Sequence, residues 1–354
     1  MSLLIYGANG YTGRLIVPVA IARGLRPILA GRDAAAVNAL AVEHGLESRA
    51  ASLDDAVALD AALHGVTVVL HCAGPFSRTS RPMVDACLRA GAHYLDITGE
   101  VDVFEACAAR DSEARARGIM LLPGTGFDVV PSDCLAAHLA RRMPGAVSLA
   151  LGFRTLGGLS RGTALTMAEG MGKPGVIRRE GRLTPVPPGY HTRTIDFGDG
   201  PRLAVTIPWG DVSTAFHSTG IRNVRVYMSI HPKQLRSLRI ARWFGWLLRT
   251  PWMQEKMAAR VKAGAAGPSA SARARGASLL WGEATDAAGH TIVSRLRGPE
   301  GYTLTADTAV RCAMRALAGD APRGFQTPSR AYGADFVLEV EGATREDAAR
   351  EHEG

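Results

Sequence analysis

Leu3-Leu4-Ile5-Tyr6 runs directly into Gly7-Ala8-Asn9-Gly10-Tyr11-Thr12-Gly13, and an apolar stretch, Leu15-Ile16-Val17, follows. A buried strand, a tight turn and a helix N-terminus read this way when a dinucleotide diphosphate must lie on bare backbone. Glycine lets the main chain approach the phosphates without a Cβ in the way. The unpaired amides and positive dipole end of the helix, around Tyr11 and Thr12, then stabilise the charge. The spacing is G-x-x-G-x-x-G, so position carries much of the argument: the glycines open the chain between strand and helix. Pro18 falls inside the expected first helix, where it should remove a hydrogen bond or kink the axis.

With 354 residues the chain has room for two domains. Its formal charge of +8, carried mostly by arginine, favours anionic partners such as a phosphorylated cofactor, an acidic carrier or a membrane face. No nucleic-acid reading module is present. The five cysteines, Cys72, Cys87, Cys107, Cys134 and Cys312, are scattered and lack C-x-x-C spacing, which argues against a disulfide framework and a structural metal site. With no charged-then-apolar leader and no apolar run of about 18 residues, a reducing cytoplasm is the expected compartment.

Strand and helix patterns alternate through the first 130 residues. Strands are expected at Pro27–Ala30, Ser48–Ser52, Val66–His71, His93–Ile97 and Ile119–Pro123. Helices are expected at Tyr11–Ala22, Ala34–Glu43, Asp55–Leu63, Pro82–Ala90 and Val103–Arg117. Such alternation gives an α/β fold with a doubly wound, mostly parallel sheet. After about residue 135 the grammar changes. A helix at Cys134–Arg142 precedes strand-like pieces at Val147–Arg154, Arg202–Thr206 and Val224–Ile230, a loop over Gly264–Gly276 and a hairpin turning at Asp286–Gly289. A helix at Tyr302–Leu317 and a frayed, charged tail over the last ten residues complete the pattern. The expected organisation is a Rossmann-type domain over 1–130 and an α+β domain on a mostly antiparallel sheet over 131–299.

Gly31-Arg32-Asp33 ends the second strand. A free ribose 2′-OH usually meets a carboxylate here, whereas a 2′-phosphate needs a cation. Arg32 favours NADP(H) over NAD(H), while Asp33 could turn to the ribose or cap the next helix. Asp54 is placed to meet adenine or to cap a helix. Asn9 and the small run Cys72-Ala73-Gly74-Pro75-Phe76 after the fourth strand are expected to wall the cofactor, Cys72 as a small residue rather than a nucleophile. Tyr94–Glu100 and Gly124–Asp133 set carboxylates and a hydroxyl beside glycines at later strand ends. Thr98, Glu100 and Asp128 are the candidates for proton donation or substrate contact, and Asp96 and Asp133 for acid–base or turn roles.

Together these motifs resemble the saccharopine dehydrogenase-like oxidoreductases, in the branch with the trans-acting enoyl reductases. The resemblance is carried by Gly7–Gly13, Ala30-Gly31-Arg32, Cys72–Phe76, Tyr94–Glu100 and Gly126–Asp133. It extends through Ser160-Arg161-Gly162-Thr163, Gly210-Asp211-Val212 and Ser218-Thr219-Gly220-Ile221. It implies a Rossmann domain to which a C-terminal segment, about 300–345, returns, and NADP-linked reduction of C=C or C=N. True saccharopine-forming enzymes carry Gly-x-Asp-Pro-Gly where this chain has Gly126-Phe127-Asp128-Val129-Val130-Pro131, a departure that weighs against amino-acid chemistry.

Over 235–261, Leu238, Ile240, Trp243, Phe244, Trp246, Leu247, Leu248 and Trp252 interleave with Arg236, Arg239, Arg242, Arg249 and Lys256. Such a segment could lie in a membrane interface, grip an acyl chain beside an anionic carrier, or pack on the second domain with its arginines solvated. The leading expectation is therefore an NADPH-dependent reductase of an apolar or acyl-type enoyl substrate. An imine reductase of amino-acid or polyamine metabolism, or a non-catalytic nucleotide-binding protein docked on a membrane, are the alternatives. A homo-oligomer is compatible with any of them.

Overall fold

The computed structural model describes residues 1–348 except 157, 159, 171, 242–244, 249 and 265. The chain divides into two compact units, residues 1–130 with 302–331, and residues 131–301 with 332–354.

In the first unit, β1 (Leu3–Tyr6), β2 (Ile28–Gly31), β3 (Ser48–Ala50), β4 (Val68–His71), β5 (His93–Asp96) and β6 (Met120–Leu122) alternate with helices. These are α1 (Tyr11–Ala22), α2 (Ala34–His44), α3 (Ala56–Ala62), α4 (Phe76–Ala90), α5 (Val101–Ala108) and α6 (Asp111–Arg117). β1, β2 and β4 are buried along their whole length, as strands covered on both faces must be. On α1, Gly13, Ile16, Val17 and Ala20 make the buried stripe, and Pro18 rides inside the helix on its exposed side. Asp33 caps α2 by accepting the Ala36 amide, and Asp55 caps α3 by accepting that of Ala58.

Two expectations in this unit are corrected. α4 begins at Phe76 rather than Pro82, because a remote carboxylate caps the earlier start, as described below. The single helix expected over Val103–Arg117 is two: Arg110 turns away at the break to pair with Asp85 and Glu113, and Asp111 receives the Phe325 amide.

The second unit opens with α7 (Val130–Arg142) and is built on a mixed sheet. Its strands are β7 (Ala146–Leu156), β8 (Gly175–Arg179), β9 (Arg182–Val186), β10 (Thr192–Asp196), β11 (Pro201–Thr206), β12 (Asn223–Ser229), β13 (Ala277–Asp286) and β14 (Thr291–Pro299). Its helices are α8 (Arg161–Gly170), α9 (Asp211–Thr219), α10 (Pro232–Ala241), α11 (Gly245–Leu248), α12 (Pro251–Lys262) and α13 (Ala270–Arg275). Among the described pairs only β12 and β7 run parallel; the rest are antiparallel. The β13–β14 hairpin turns where expected, the Asp286 carboxylate accepting the Ala288 and His290 amides. The loop expected over 264–276 contains α13, whose N-cap Ser269 accepts the Ala272 amide.

The chain then returns through α14 (Gly301–Leu317), β15 (Gly324–Phe325) and α15 (Pro328–Tyr332). β15 completes an all-parallel sheet of order β15-β6-β5-β4-β1-β2-β3. The return to the first unit covers 302–331 and not the whole of 300–345. The expected tail instead contributes β16 (Thr344–Ala348), paired with β14 and held there by Asp347, which binds His138 and Ser294. Residues 349–354 of that tail lie outside the described residues.

Candidate active site

Strand order reverses between β1 and β4 of the first sheet, and ligands of open α/β sheets collect at the strand ends beside such a point. The three glycines after β1 do different work there. Gly7 has φ +79°, and a Cβ on it would lie 2.8 Å from the Ala73 amide nitrogen, so the β1 turn packs directly on the β4 turn. A Cβ on Gly13 would lie 2.5 Å from the Gly7 carbonyl oxygen, so α1 sits close on the turn. Gly10 is exposed, its backbone is extended at φ −72° and ψ 167°, and a Cβ there would meet only the Gly7 carbonyl, at 3.2 Å. The fold requires glycine at 7 and 13; the openness at 10 faces outward.

No side chain caps α1 and no carboxylate lies in its first turn. The first-turn amides of a helix have no acceptor within it, so this end, around Thr12 and Gly13, can receive an anion. At the neighbouring strand end the Asp33 carboxylate is committed to α2, while Arg32 is exposed and makes no ion pair among the described residues. Arg32 and Asp54 both act on the buried Tyr6 phenol, the first lowering and the second raising its pKa, with burial the largest influence and upward. The phenol donates to the Ala51 carbonyl at 2.8 Å. Asp54 is not the cap of α3; Asp55 is. Asn9 Oδ1 lies close to Gly31, 3.3 Å from where a Cβ would stand. These residues fit a dinucleotide with a 2′-phosphate: a helix end that no side chain caps for the diphosphate, and an exposed guanidinium at the ribose end.

The run after β4 starts with the Cys72 amide donating to the Tyr6 carbonyl. Burial pushes the Cys72 thiol up, which suits a wall residue and not a nucleophile. α4 has no cap of its own. Glu100 supplies it from the β5 side, its two carboxylate oxygens accepting the Phe76 and Ser77 amides at 2.9 and 2.8 Å. This commits Glu100 to holding the Cys72–Phe76 loop.

Thr98 is fully buried. Its amide donates to Asp96, and its hydroxyl accepts the Glu100 amide. Asp96 is buried as well and ties β5 to β6, accepting from Tyr94, Thr98 and Gly124; burial raises its pKa to about 6. Asp128 is half-buried against Gly99, and burial together with the Glu100 charge pushes its pKa up to about 7. Of the three candidates, Asp128 combines partial exposure with a pKa raised to about 7.

The returning helix supplies residues that the motifs gave no reason to suspect. Thr305 accepts the Phe127 amide at 2.9 Å, and Thr308 donates to the Thr125 carbonyl at 2.7 Å, so α14 fixes the loop bearing Asp128. Tyr302 meets Tyr11 edge-on, ring centroids 5.1 Å apart. More than 170 residues separate these partners in sequence, and no local pattern announces them. Among the described residues no cluster of His, Cys, Asp or Glu could hold a metal ion.

Residues 3–122 match the family model for the saccharopine dehydrogenase NADP binding domain. The human saccharopine dehydrogenase-like oxidoreductase is 26% identical over 174 residues, covering 44% of this chain and 41% of that protein. The trans-acting enoyl reductase of Mycobacterium leprae is 31% identical over 149 residues, covering 40% and 36%. The chain thus spans about half the length, or less, of the relatives it matches. Among solved structures, saccharopine dehydrogenase (L-Glu forming) from Saccharomyces cerevisiae superposes with a TM-score of 0.65 at 12% identity, covering 98% of this chain and 100% of that one. That likeness is one of fold.

Proposed function

From the premise that residues 3–122 form a saccharopine dehydrogenase-type NADP-binding domain, we propose that this protein is an NADP(H)-dependent oxidoreductase of a small-molecule or acyl-type substrate, reducing a C=C bond. The observation that carries the cofactor reading is the α1 N-terminus, which no side chain caps, behind the exposed Gly10, with Arg32 at the adjoining strand end, exposed and in no ion pair among the described residues. Gly10, Tyr11, Thr12 and Gly13 would hold the diphosphate. Arg32 would hold the 2′-phosphate, with Asn9 and Asp54 beside it, and Cys72–Phe76 would line the ring end. When bound, NADPH supplies the hydride.

Reducing C=C also consumes a proton, and Asp128 is the group suited to give it. A carboxyl with a pKa near 7 is substantially protonated at neutral pH and still readily surrenders its proton. Glu100 and Thr98 act as positioning groups. Glu100 holds the α4 start and, through its charge, adds to the burial that keeps Asp128 protonated, while Thr98 fixes Glu100 by its amide.

The enoyl reading is further supported by the enoyl reductase name of a 31% identical relative and by the departure of Gly126–Pro131 from the saccharopine-forming pattern. NADPH oxidation with α,β-unsaturated acyl thioesters, compared with cyclic and open-chain imines, tests it. Turnover of the thioesters supports C=C reduction; turnover of imines alone replaces it with C=N reduction, and no oxidation with either class removes the catalytic reading.

A further inference from the structure

The chain's charge is concentrated in one place. Residues 232–262 hold eight lysines and arginines against one carboxylate, Glu255, so this stretch supplies +7 of the total +8. Elsewhere many arginines are neutralised by carboxylates, as in Arg89–Asp60, Arg115–Asp111, Arg193–Glu283 and Arg295–Asp196. In this stretch Arg236, Lys256 and Arg260 are exposed and make no ion pair among the described residues.

Two large indoles lie among these cations. On α12 the exposed positions Trp252, Glu255, Lys256, Ala259 and Arg260 recur at helical spacing and form one face. Gln254, off that face, donates to the Ala168 carbonyl of α8 at 3.3 Å and anchors the helix to its own unit. Trp252 is 62% exposed, with the Lys256 ammonium 5.0 Å from its ring centroid, and Trp246 on α11 is 66% exposed. A single exposed apolar side chain is unremarkable, but two exposed tryptophans within one strongly cationic stretch point to a preferred environment.

We propose that this stretch, through its exposed Trp246, Trp252, Arg236, Lys256 and Arg260, docks on an anionic phospholipid surface. Headgroup phosphates answer the unpaired cations, and the headgroup–acyl boundary is where an indole rests with its ring in hydrocarbon and its N–H hydrated. No helix among the described residues is long and apolar enough to cross a membrane, so the association is peripheral. The inference is independent of the redox reading.

Sedimentation of the full chain with lipid vesicles tests this. Binding is expected to vesicles containing about one third phosphatidylglycerol and not to pure phosphatidylcholine, with a drop of tenfold or more at about 0.5 M salt. Each basic residue near an anionic leaflet contributes about fivefold in partition. Combined reversal of Arg236, Lys256 and Arg260 to Glu should therefore abolish pelleting, and Trp246→Ser with Trp252→Ser should weaken it while leaving NADPH affinity unchanged. Equal binding to both vesicle types, or wild-type binding by the charge-reversed variant, overturns the proposal. So does capture of an acidic protein, lost on reversal, in the absence of vesicle binding.

Discussion

Glu100 caps α4 through the Phe76 and Ser77 amides, and the same carboxylate's charge helps hold Asp128 protonated to about pH 7. One residue thereby couples the geometry of the β4–α4 loop to the proton inventory beside it.

If Asp128 gives the proton, its acid form is required and reductive turnover should fall as pH rises through about 7. Asp128→Asn should remove that limb and lower kcat by about 10²–10⁴. Glu100→Gln keeps an acceptor for an α4 amide and deletes the charge, so the limb should move to lower pH. Stability has a matching sign. The folded carboxyl binds a proton between about 3.8 and 7 where the unfolded one does not, so its contribution declines as pH rises across that window. Above pH 7 Asp128→Asn should therefore be the more stable protein, by on the order of 1–2 kcal/mol after solvent screening. Kinetic pH profiles and denaturation at pH 5 and pH 8, within the range of about pH 4–8 where such groups titrate, check both statements.

Arg32 is exposed and unpaired among the described residues, whereas Asp33 is spent on α2. Arg32→Ala should weaken NADPH binding by about 10- to 100-fold through loss of charge-assisted hydrogen bonds, and NADH binding by no more than about twofold. Parallel fluorescence titrations with the two cofactors distinguish this from a general disturbance of the site, which would weaken both alike.

His71 is fully buried between Tyr6, Phe76 and Tyr94, with neither ring nitrogen hydrogen-bonded, and burial pulls its pKa down from 6.5 to about 3. As pH falls from 6.5 towards 3 the unfolded chain takes up a proton that the folded one refuses, so folding is progressively disfavoured. His71→Phe should remove on the order of a few kcal/mol of that acid sensitivity. Urea denaturation at pH 7 and pH 5, within the roughly pH 3–6.5 window this account predicts, should show a smaller difference in the variant than in wild type.

The first unit was legible because its rules are local. Apolar runs, caps such as Asp33 and glycines at strand ends recur at short spacing, and each announces an element. What escaped the sequence is what depends on distant partners. The start of α4 is set by Glu100, 24 residues on, so Pro82 looked like the helix start. β16 exists because Asp347 finds His138 and Ser294, and its charged sequence reads as tail. Thr305 and Thr308 support Phe127 and Thr125 from the far end of the chain. Glu100 stood out by residue type and position, but only the fold shows its carboxylate turned to the α4 amides.

The account stands on the loop between β1 and α1 as a diphosphate cradle, and a pair of glycine substitutions read by calorimetry tests that most directly. Gly7→Ala meets a positive φ and the Ala73 backbone and should destabilise the fold by about 1–3 kcal/mol. Gly10→Ala meets an ordinary backbone conformation and one tight contact, 3.2 Å to the Gly7 carbonyl oxygen, that a shift of a few tenths of an ångström relieves, so its Tm should stay within a few degrees of wild type. Isothermal titration should then give saturable NADPH binding to wild type and binding weakened by about tenfold or more to the folded Gly10→Ala protein. Wild-type protein that releases no heat with NADPH, NADP⁺, NADH or NAD⁺, or a Gly10→Ala variant that binds NADPH as tightly as wild type, would contradict it.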